Sequence, residues 1–236
     1  MIRVFVITCD KYSWALKGFV QQFQKYWSSL QPVVIAGYTK PDYDLPDNFE
    51  FHSIRETEYG KNEWSNGLID FLQKVNDEHF VLMLEDYWLC RRVDNEAVNS
   101  LHDLAKIQSN ILRIDLTDDR QYAGDRVDFN YLPYWGHNDL IWTPPTSPYQ
   151  MSLQAGLWSR KNMLSVLNRN ESAWQVEIGG TARNLAKRDD LWVLGTRQKP
   201  MRYANIFRGG DPENTNLTYL LDTDVQELKD TGALPK

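Results

Sequence analysis

His79–Arg91 reads HFVLMLEDYWLCR. Five apolar residues, Phe80–Leu84, run without a break into two adjacent acids, Glu85 and Asp86. An unbroken apolar run of this length suits a strand covered on both faces, as in a parallel sheet. In such sheets ligands bind in the crevice outside the carboxyl ends of the strands. Two carboxylates placed there can hold a divalent cation through hard oxygen ligands, and such a cation can clamp a diphosphate. The same two acids can also simply end the strand in solvent.

Outward from this stretch, strand and helix patterns alternate. Ile2–Thr8 is β-branched and apolar and reads as a first strand. Tyr12–Trp27 carries Leu16, Phe19, Val20, Phe23 and Trp27 at helical spacing. Pro32–Ala36 and Phe49–Ile54 read as strands, separated by a loop over Lys40–Asn48 that is rich in Pro and Asp. Glu63–Val75 reads as a helix, Asp94–Ile107 as another, and Ile111–Leu116 as a strand. This alternation predicts an α/β fold: a Rossmann-like, mostly parallel sheet flanked by helices, with right-handed crossovers.

The regularity stops after Asp115. Thr117–Tyr149 is dense in Asp, Tyr, Trp and Pro, and predicts loops with a β-hairpin around Phe129–Thr143. A long irregular insert in a compact domain is usually functional. Met151–Trp158 then reads as a strand, Arg160–Leu167 and Trp174–Lys187 as helices, Leu191–Leu194 as a late strand and Val225–Lys229 as a short helix. No repeat or linker breaks the chain, so residues 1–236 read as a single domain. The loss of regularity divides that domain into residues 1–116 and 117–236.

Composition narrows the function. The chain has 236 residues, 42% hydrophobic and 25% charged, which is the globular norm. A net charge of -6 argues against a nucleic-acid partner. Aromatics reach 13%, with nine Trp and twelve Tyr, which suits stacking on bases and sugar rings. No apolar run approaches the ~18 residues of a membrane span, and the start, MIRVFVITCDKY, lacks the features of a signal peptide. The two cysteines, Cys9 and Cys90, form neither a disulfide framework nor a zinc pattern. A reduced, cytoplasmic protein is expected.

Four clusters can carry chemistry. The first is Thr8, Cys9, Asp10, Lys11 and Tyr12, after strand one, where backbone N–H groups can receive an anion and Tyr12 can stack on a base. It is not a phosphate loop, because GxxxxGK[ST] is absent. Cys9 has no evident His partner and reads as a structural thiol. The second runs from Glu58 through Lys61 to Asn66 and Gly67. Lys61 can neutralise a phosphate, and Asn66 can bond a ribose or phosphate oxygen. Asn and Gly inside a helix are locally unfavourable, which is expected at functional sites. The third is Glu85-Asp86. The fourth is Trp174-Gln175-Val176-Glu177, in which Glu177 reads as opening a helix. There the dipole would lower its pKa, and it can serve either as a routine first-turn acid or as a general base.

Together these clusters resemble a glycosyltransferase of the nucleotide-diphospho-sugar transferase (GT-A) fold, of the bacterial and phage type. WSNGLIDFLQKVNDEHFVLMLEDYWL is similar to the family pattern in which a helix leads into a strand ending in the acidic DxD motif. QMSLQAGLWSRKNMLSVL followed by ESAWQVE resembles the segment that supplies the base. By position, the resemblance assigns nucleotide-sugar binding to Thr8, Asp10, Tyr12, Glu58, Lys61, Asn66 and Glu85. It assigns Mn²⁺ or Mg²⁺ to Asp86 and Glu85, and catalysis to Asp86 and to Glu177, which matches the base of inverting members. The chain departs from the pattern in having Glu85-Asp86-Tyr87 where the spaced acids stand. It also lacks the C-terminal His that often completes the metal shell; His137 is the only His beyond residue 102.

The resemblance implies transfer of a sugar from a nucleotide-diphosphate donor to a glycan or lipid-linked glycan, as in polysaccharide biosynthesis. A lipid-linked acceptor leaves room for peripheral membrane contact. The aromatics Tyr134, Trp135, Trp142 and Trp174, with Tyr122 and Tyr131, are expected to line the acceptor groove. Two alternatives stand beside this reading: a nucleotidyltransferase on a similar sheet, and a non-catalytic glycan- or nucleotide-binding protein. The sequence does not address oligomeric state.

Overall fold

The computed structural model of the chain describes residues 1–122, 130–131, 135–136, 138–187, 190–207 and 216–234. The first half alternates as β1 (Arg3–Ile7), α1 (Leu16–Tyr26), β2 (Val33–Gly37), β3 (Phe49–Ser53), α2 (Trp64–Lys74) and β4 (His79–Leu84). A short β5 (Tyr87–Leu89), α3 (Asn95–Ile107) and β6 (Ile111–Asp115) complete it. The second half holds α4 (Asp119–Tyr122), β7 (Asn130–Tyr131), β8 (Leu140–Thr143), β9 (Gly156–Ser159), α5 (Arg160–Val166) and α6 (Ala173–Ala186). It closes with β10 (Trp192–Thr196), β11 (Tyr203–Asn205) and α7 (Asp222–Asp230).

Among the described residues the main sheet has the order β3-β2-β1-β4-β9-β6-β10-β8-β7. The pairs β1–β2, β1–β4, β2–β3 and β6–β10 are parallel. β9 runs antiparallel between β4 and β6, and thereby splices a strand of the second half into the first. The hairpin β7–β8 extends the far edge antiparallel to β10. The carboxyl ends of β1, β4 and β6 therefore share one edge, the place where a parallel sheet offers a crevice.

Side-chain alternation builds a core on each face. Val4 and Val6 of β1 join α1, α3 and α7 on one side, whereas Phe5 and Ile7 join α2, α5 and α6 on the other. Phe5 stacks on Phe80 of β4 at 4.7 Å and meets Phe71 of α2 edge-on at 4.9 Å. Burying each such ring stabilises the fold by about 1.5–3 kcal/mol. Asp94 caps α3 by accepting from the Ala97 amide at 3.0 Å, which is why that helix starts where its sequence predicts. No helix among the described residues is long and apolar enough to cross a membrane.

Several elements differ from the sequence reading. The helix expected from Tyr12 begins at Leu16, because Asp10–Ala15 winds as a 3-10 turn in which the Ser13 hydroxyl bonds the Asp10 carbonyl. The strand expected over Met151–Trp158 shrinks to Gly156–Ser159. Its earlier amides are spent on α6: Met151 N–H goes to the Thr181 hydroxyl and Leu153 N–H to Glu177. The helix α6 opens one residue earlier than expected, at Ala173, behind a Ser172–Gln175 capping box. Glu177 thus lies in its second turn rather than at its start. The short strands β5 and β11 were not foreseen; they pair antiparallel as a separate two-stranded sheet.

β5 carries the fully buried Trp88. Its indole N–H is shared between the carbonyls of Ala15 and Glu85, both at 3.2 Å, and its ring lies against Gly18 of α1. A Cβ on Gly18 would run into that ring. Gly18→Ala should therefore cost about 1–3 kcal/mol by overpacking, despite the better helix propensity of Ala. A urea midpoint equal to or above that of the wild type would contradict this packing.

Candidate functional site

A cavity of about 560 Å³ opens at the carboxyl edge between the ends of β1 and β4. Thr8, Tyr12, Glu58, Lys61 and Glu85, five of the seven residues expected to bind a nucleotide sugar, line it together with Asp86, Cys9 and Lys11. Thr8 extends the β1 ladder by one bond, its amide donating to the Ala36 carbonyl at 3.0 Å. The Tyr12 ring packs against Phe207 at 5.3 Å and carries the Lys11 ammonium 4.9 Å from its centroid. Glu58 accepts from the Asp10 amide at 3.2 Å, which ties the loop after β1 to the loop after β3.

Two expected donor residues have other posts. The Asp10 carboxylate accepts from both the amide and the hydroxyl of Thr39, each at 2.9 Å, and so fixes the loop after β2. Asn66 is buried, and its side-chain amide is bonded at both ends to Asn170, at 3.0 and 2.9 Å. It locks α2 to the segment ahead of α6 and is not among the cavity lining. The neighbouring Gly67 does line the cavity, and a Cβ there would lie 2.5 Å from the Tyr38 hydroxyl. The local rule-breaking at Asn66-Gly67 thus has one structural cause and one that shapes the site.

Glu85 and Asp86 occupy the turn between β4 and β5, not an extended strand. The alternation that would send them to opposite faces ends at Leu84, and both acids line the same cavity. Burial, then the neighbouring charges of Asp86 and Glu58, push the Glu85 carboxyl well above the usual carboxylate range. Burial pushes Asp86 up to about 7. Asp86 Oδ1 is buried with no partner among the described residues. With its amide oriented to satisfy both neighbours, Asn205 donates to Asp86 Oδ2 at 2.9 Å and to the Phe207 carbonyl at 2.7 Å. Burial, then the charge of Glu85, raises the Cys9 thiol to about 12, which disfavours its thiolate. Both cysteines are free thiols.

The donor chemistry here fits a hard divalent cation. Glu58, Glu85 and Asp86 bring carboxylate oxygens into one cavity, and one of those oxygens is an orphan. Among the described residues no three His, Cys, Asp or Glu side chains converge into a complete ligand set. Glu85 and Asp86 would supply part of a shell that a diphosphate or water must finish.

A second cavity, about 680 Å³, lies on the same edge beside the first. Thr117, Asp118 and Asp119, which follow β6, line it with Gln154, Arg91, Arg202, Tyr203, Asn205, Asn216 and Tyr219. Asn205 belongs to this lining and bonds Asp86 of the other, so the two residues form the wall between the cavities. Behind it sits a buried charge network. Arg113 bonds Asp115 at 3.1 Å and Asp119 at 3.2 Å, and Arg120 bonds Asp119 at 2.9 Å. Burial raises the Asp119 carboxyl, but Arg113 and Arg120 outweigh that and hold it below its usual value. Sequence reasoning passed over this cavity because Arg91, Arg202 and Asn205 flank the two unforeseen strands.

Glu177 lines neither cavity. Its carboxylate accepts the Leu153 amide at 2.7 Å, beside the second cavity's Gln154, and burial raises its pKa. The expectation that a helix dipole would lower it fails, because the residue lies a turn inside α6 and is desolvated. Trp174 is exposed and lines the first cavity, not an acceptor groove apart from it. Trp135 donates from its indole N–H to the Ser100 carbonyl at 2.9 Å, and Trp142 lies on β8, opposite Leu194. Both pack on the core and neither lines a cavity described here. Tyr134 and His137 lie outside the described residues, as do the side chains of Tyr122 and Tyr131.

No family model and no curated protein matches the sequence. Solved structures do share its fold. The chain is similar to UTP-bound UGPase from Acinetobacter baumannii, with 10% identity, a TM-score of 0.50 and 100% of both chains covered. It is also similar to UDP-glucose pyrophosphorylase from the same organism, with 10% identity, a TM-score of 0.52, and 97% of this chain and 93% of that chain covered. The α/β fold expected from the alternation of strands and helices is the fold observed.

The raised acids make stability fall as pH rises. Asp86 holds its proton in the folded state up to about 7, whereas the unfolded chain releases it near 3.8. Its contribution is fully present below the lower value and is lost as pH climbs through the higher one. Asp86→Asn should flatten that fall and stabilise the metal-free protein at pH 8 by at least about 1 kcal/mol. Parallel stability–pH curves for the two proteins, measured in chelator, would refute the burial of this charge.

Proposed function

We propose that the protein is a glycosyltransferase that moves a sugar from a nucleotide-diphosphate donor to a hydroxyl of a glycan or lipid-linked glycan, with inversion. The observation that carries this reading is the pair of cavities on one sheet edge, divided by Asp86 and Asn205. Transfer requires two reactants held side by side, whereas a simple binding protein needs one such place.

In this reading the donor occupies the first cavity. Tyr12 offers a flat face, Lys11 and Lys61 would neutralise the diphosphate, and Glu85 with Asp86 would hold Mn²⁺ or Mg²⁺. A cation there supplies neutralisation of the charge that grows on the departing diphosphate. The acceptor enters the second cavity, and Glu177, which lies outside the lining beside Gln154, takes its hydroxyl proton through one intervening water. The burial that raises Glu177 moves it toward the operating pH, which suits a general base.

One observation favours a second reading, a nucleotidyltransferase: the fold is shared with UDP-glucose pyrophosphorylase. Against it, the loop Thr8-Cys9-Asp10-Lys11-Tyr12 contains no glycine to bring backbone amides around a triphosphate. Pyrophosphate release from a nucleoside triphosphate and a sugar 1-phosphate would establish the second reading and remove the first.

Two outcomes are expected of the transferase. Nucleoside diphosphates should raise the melting temperature with Mn²⁺ present and far less without it, and Asp86→Asn should lose that shift. A shift of equal size in chelator would dismiss the cation. Glu177→Gln keeps an oxygen for the Leu153 amide but cannot take a proton. It should lower turnover by about 10²–10⁴ while leaving donor affinity and melting temperature near wild type. Normal turnover would leave Glu177 with its structural bond alone.

A further inference from the structure

We infer that the second cavity is built for an acidic saccharide, one that carries a phosphate or carboxylate group. That such a saccharide is the acceptor rests on the transferase reading; its binding does not.

The charges around the cavity decide it. Both of its carboxylates are already matched. Asp118 pairs with Lys199 at 2.8 Å, and Asp119 receives the buried Arg113 and Arg120. Among the described residues its two remaining cations are not matched. Arg91 donates only to neutral carbonyls, those of Cys90 and Tyr219. Arg202 makes no side-chain bond among the described residues, and neither arginine has a carboxylate within ion-pair distance there. A surplus of two guanidinium groups at one cavity stands out in a chain of net charge -6. Guanidinium is the side chain best suited to phosphate and carboxylate recognition.

The rest of the lining suits a sugar. Gln154 and Asn216 offer amides to hydroxyl groups, and Tyr219 offers an exposed ring. The volume, about 680 Å³, lies within the range of small-molecule sites, roughly 300–1,000 Å³.

The test is ligand-detected NMR on the full chain with three probes: glucose 6-phosphate, glucuronate and methyl glucoside. Both acidic sugars should bind more tightly than methyl glucoside, and the stronger of the two identifies the anionic group. Binding should weaken with added salt and should survive saturation with nucleoside diphosphate and Mg²⁺. Arg202→Gln should weaken the acidic sugars roughly threefold to fivefold, and the Arg91→Gln, Arg202→Gln pair by about tenfold. Methyl glucoside and the melting temperature should be unaffected. Equal binding of acidic and neutral sugars, no binding of any, displacement by nucleotide, or unchanged affinity in the Arg202 variant would each overturn the inference. Acidic-sugar binding that persists in a protein unable to use any nucleotide sugar would instead overturn the transferase reading and leave the cavity's preference standing.

Discussion

The indole of Trp88 is the contact on which the site depends. One N–H is shared by two carbonyls, that of Ala15 before α1 and that of Glu85 in the acidic turn. The Ala15 carbonyl opens α1 and the Glu85 carbonyl lies in the turn between β4 and β5, so the shared bond joins those two segments. The ring fills the space that Gly18 leaves on α1. The acidic turn is thereby pinned to the opening of the first helix, and Glu85 and Asp86 are presented to the cavity instead of continuing β4 into solvent.

That turn is costly, and its surroundings show where the cost falls. Two adjacent acids are desolvated together, and Glu58 adds a third charge. Nothing among the described residues satisfies Asp86 Oδ1. A few steps along the edge the opposite policy holds. Asp115 is also buried and Asp119 half-buried, yet two arginines and the Thr117 hydroxyl meet them, with Arg113 Nε alone left without a partner among the described residues. A buried charge that has partners tends to fix a conformation, whereas one without them carries its full desolvation cost.

The antiparallel strand β9 is what brings the two environments together. Inserted between β4 and β6, it sets the acids after β4 and the polar turn after β6 two strands apart on one edge. The two-stranded sheet of β5 and β11 then closes over the gap, carrying Arg91 and Arg202 at its end and Asn205 against Asp86. The dividing wall between the cavities is therefore made of segments more than 100 residues apart in the chain.

The sequence by itself determined the α/β alternation, the central strand Phe80–Leu84 and the two acids at its end, because apolar periodicity and an unbroken apolar run are local signals. It also determined most of the first cavity, since Thr8, Tyr12, Glu58 and Lys61 follow strands whose carboxyl ends a parallel sheet must gather. Only the tertiary structure decided which polar residues were spent elsewhere. Asn66 is consumed by Asn170, Asp10 by Thr39 and one oxygen of Glu177 by the Leu153 amide, and none of those partners is visible from spacing. Burial had the same effect on charge: a helix position suggests a lowered Glu177, and desolvation reverses it. The second cavity was illegible because its strands are three residues long and gain their pairing from each other across the chain. Strands that short carry no period of their own, so the contacts that make them are the only signal they have.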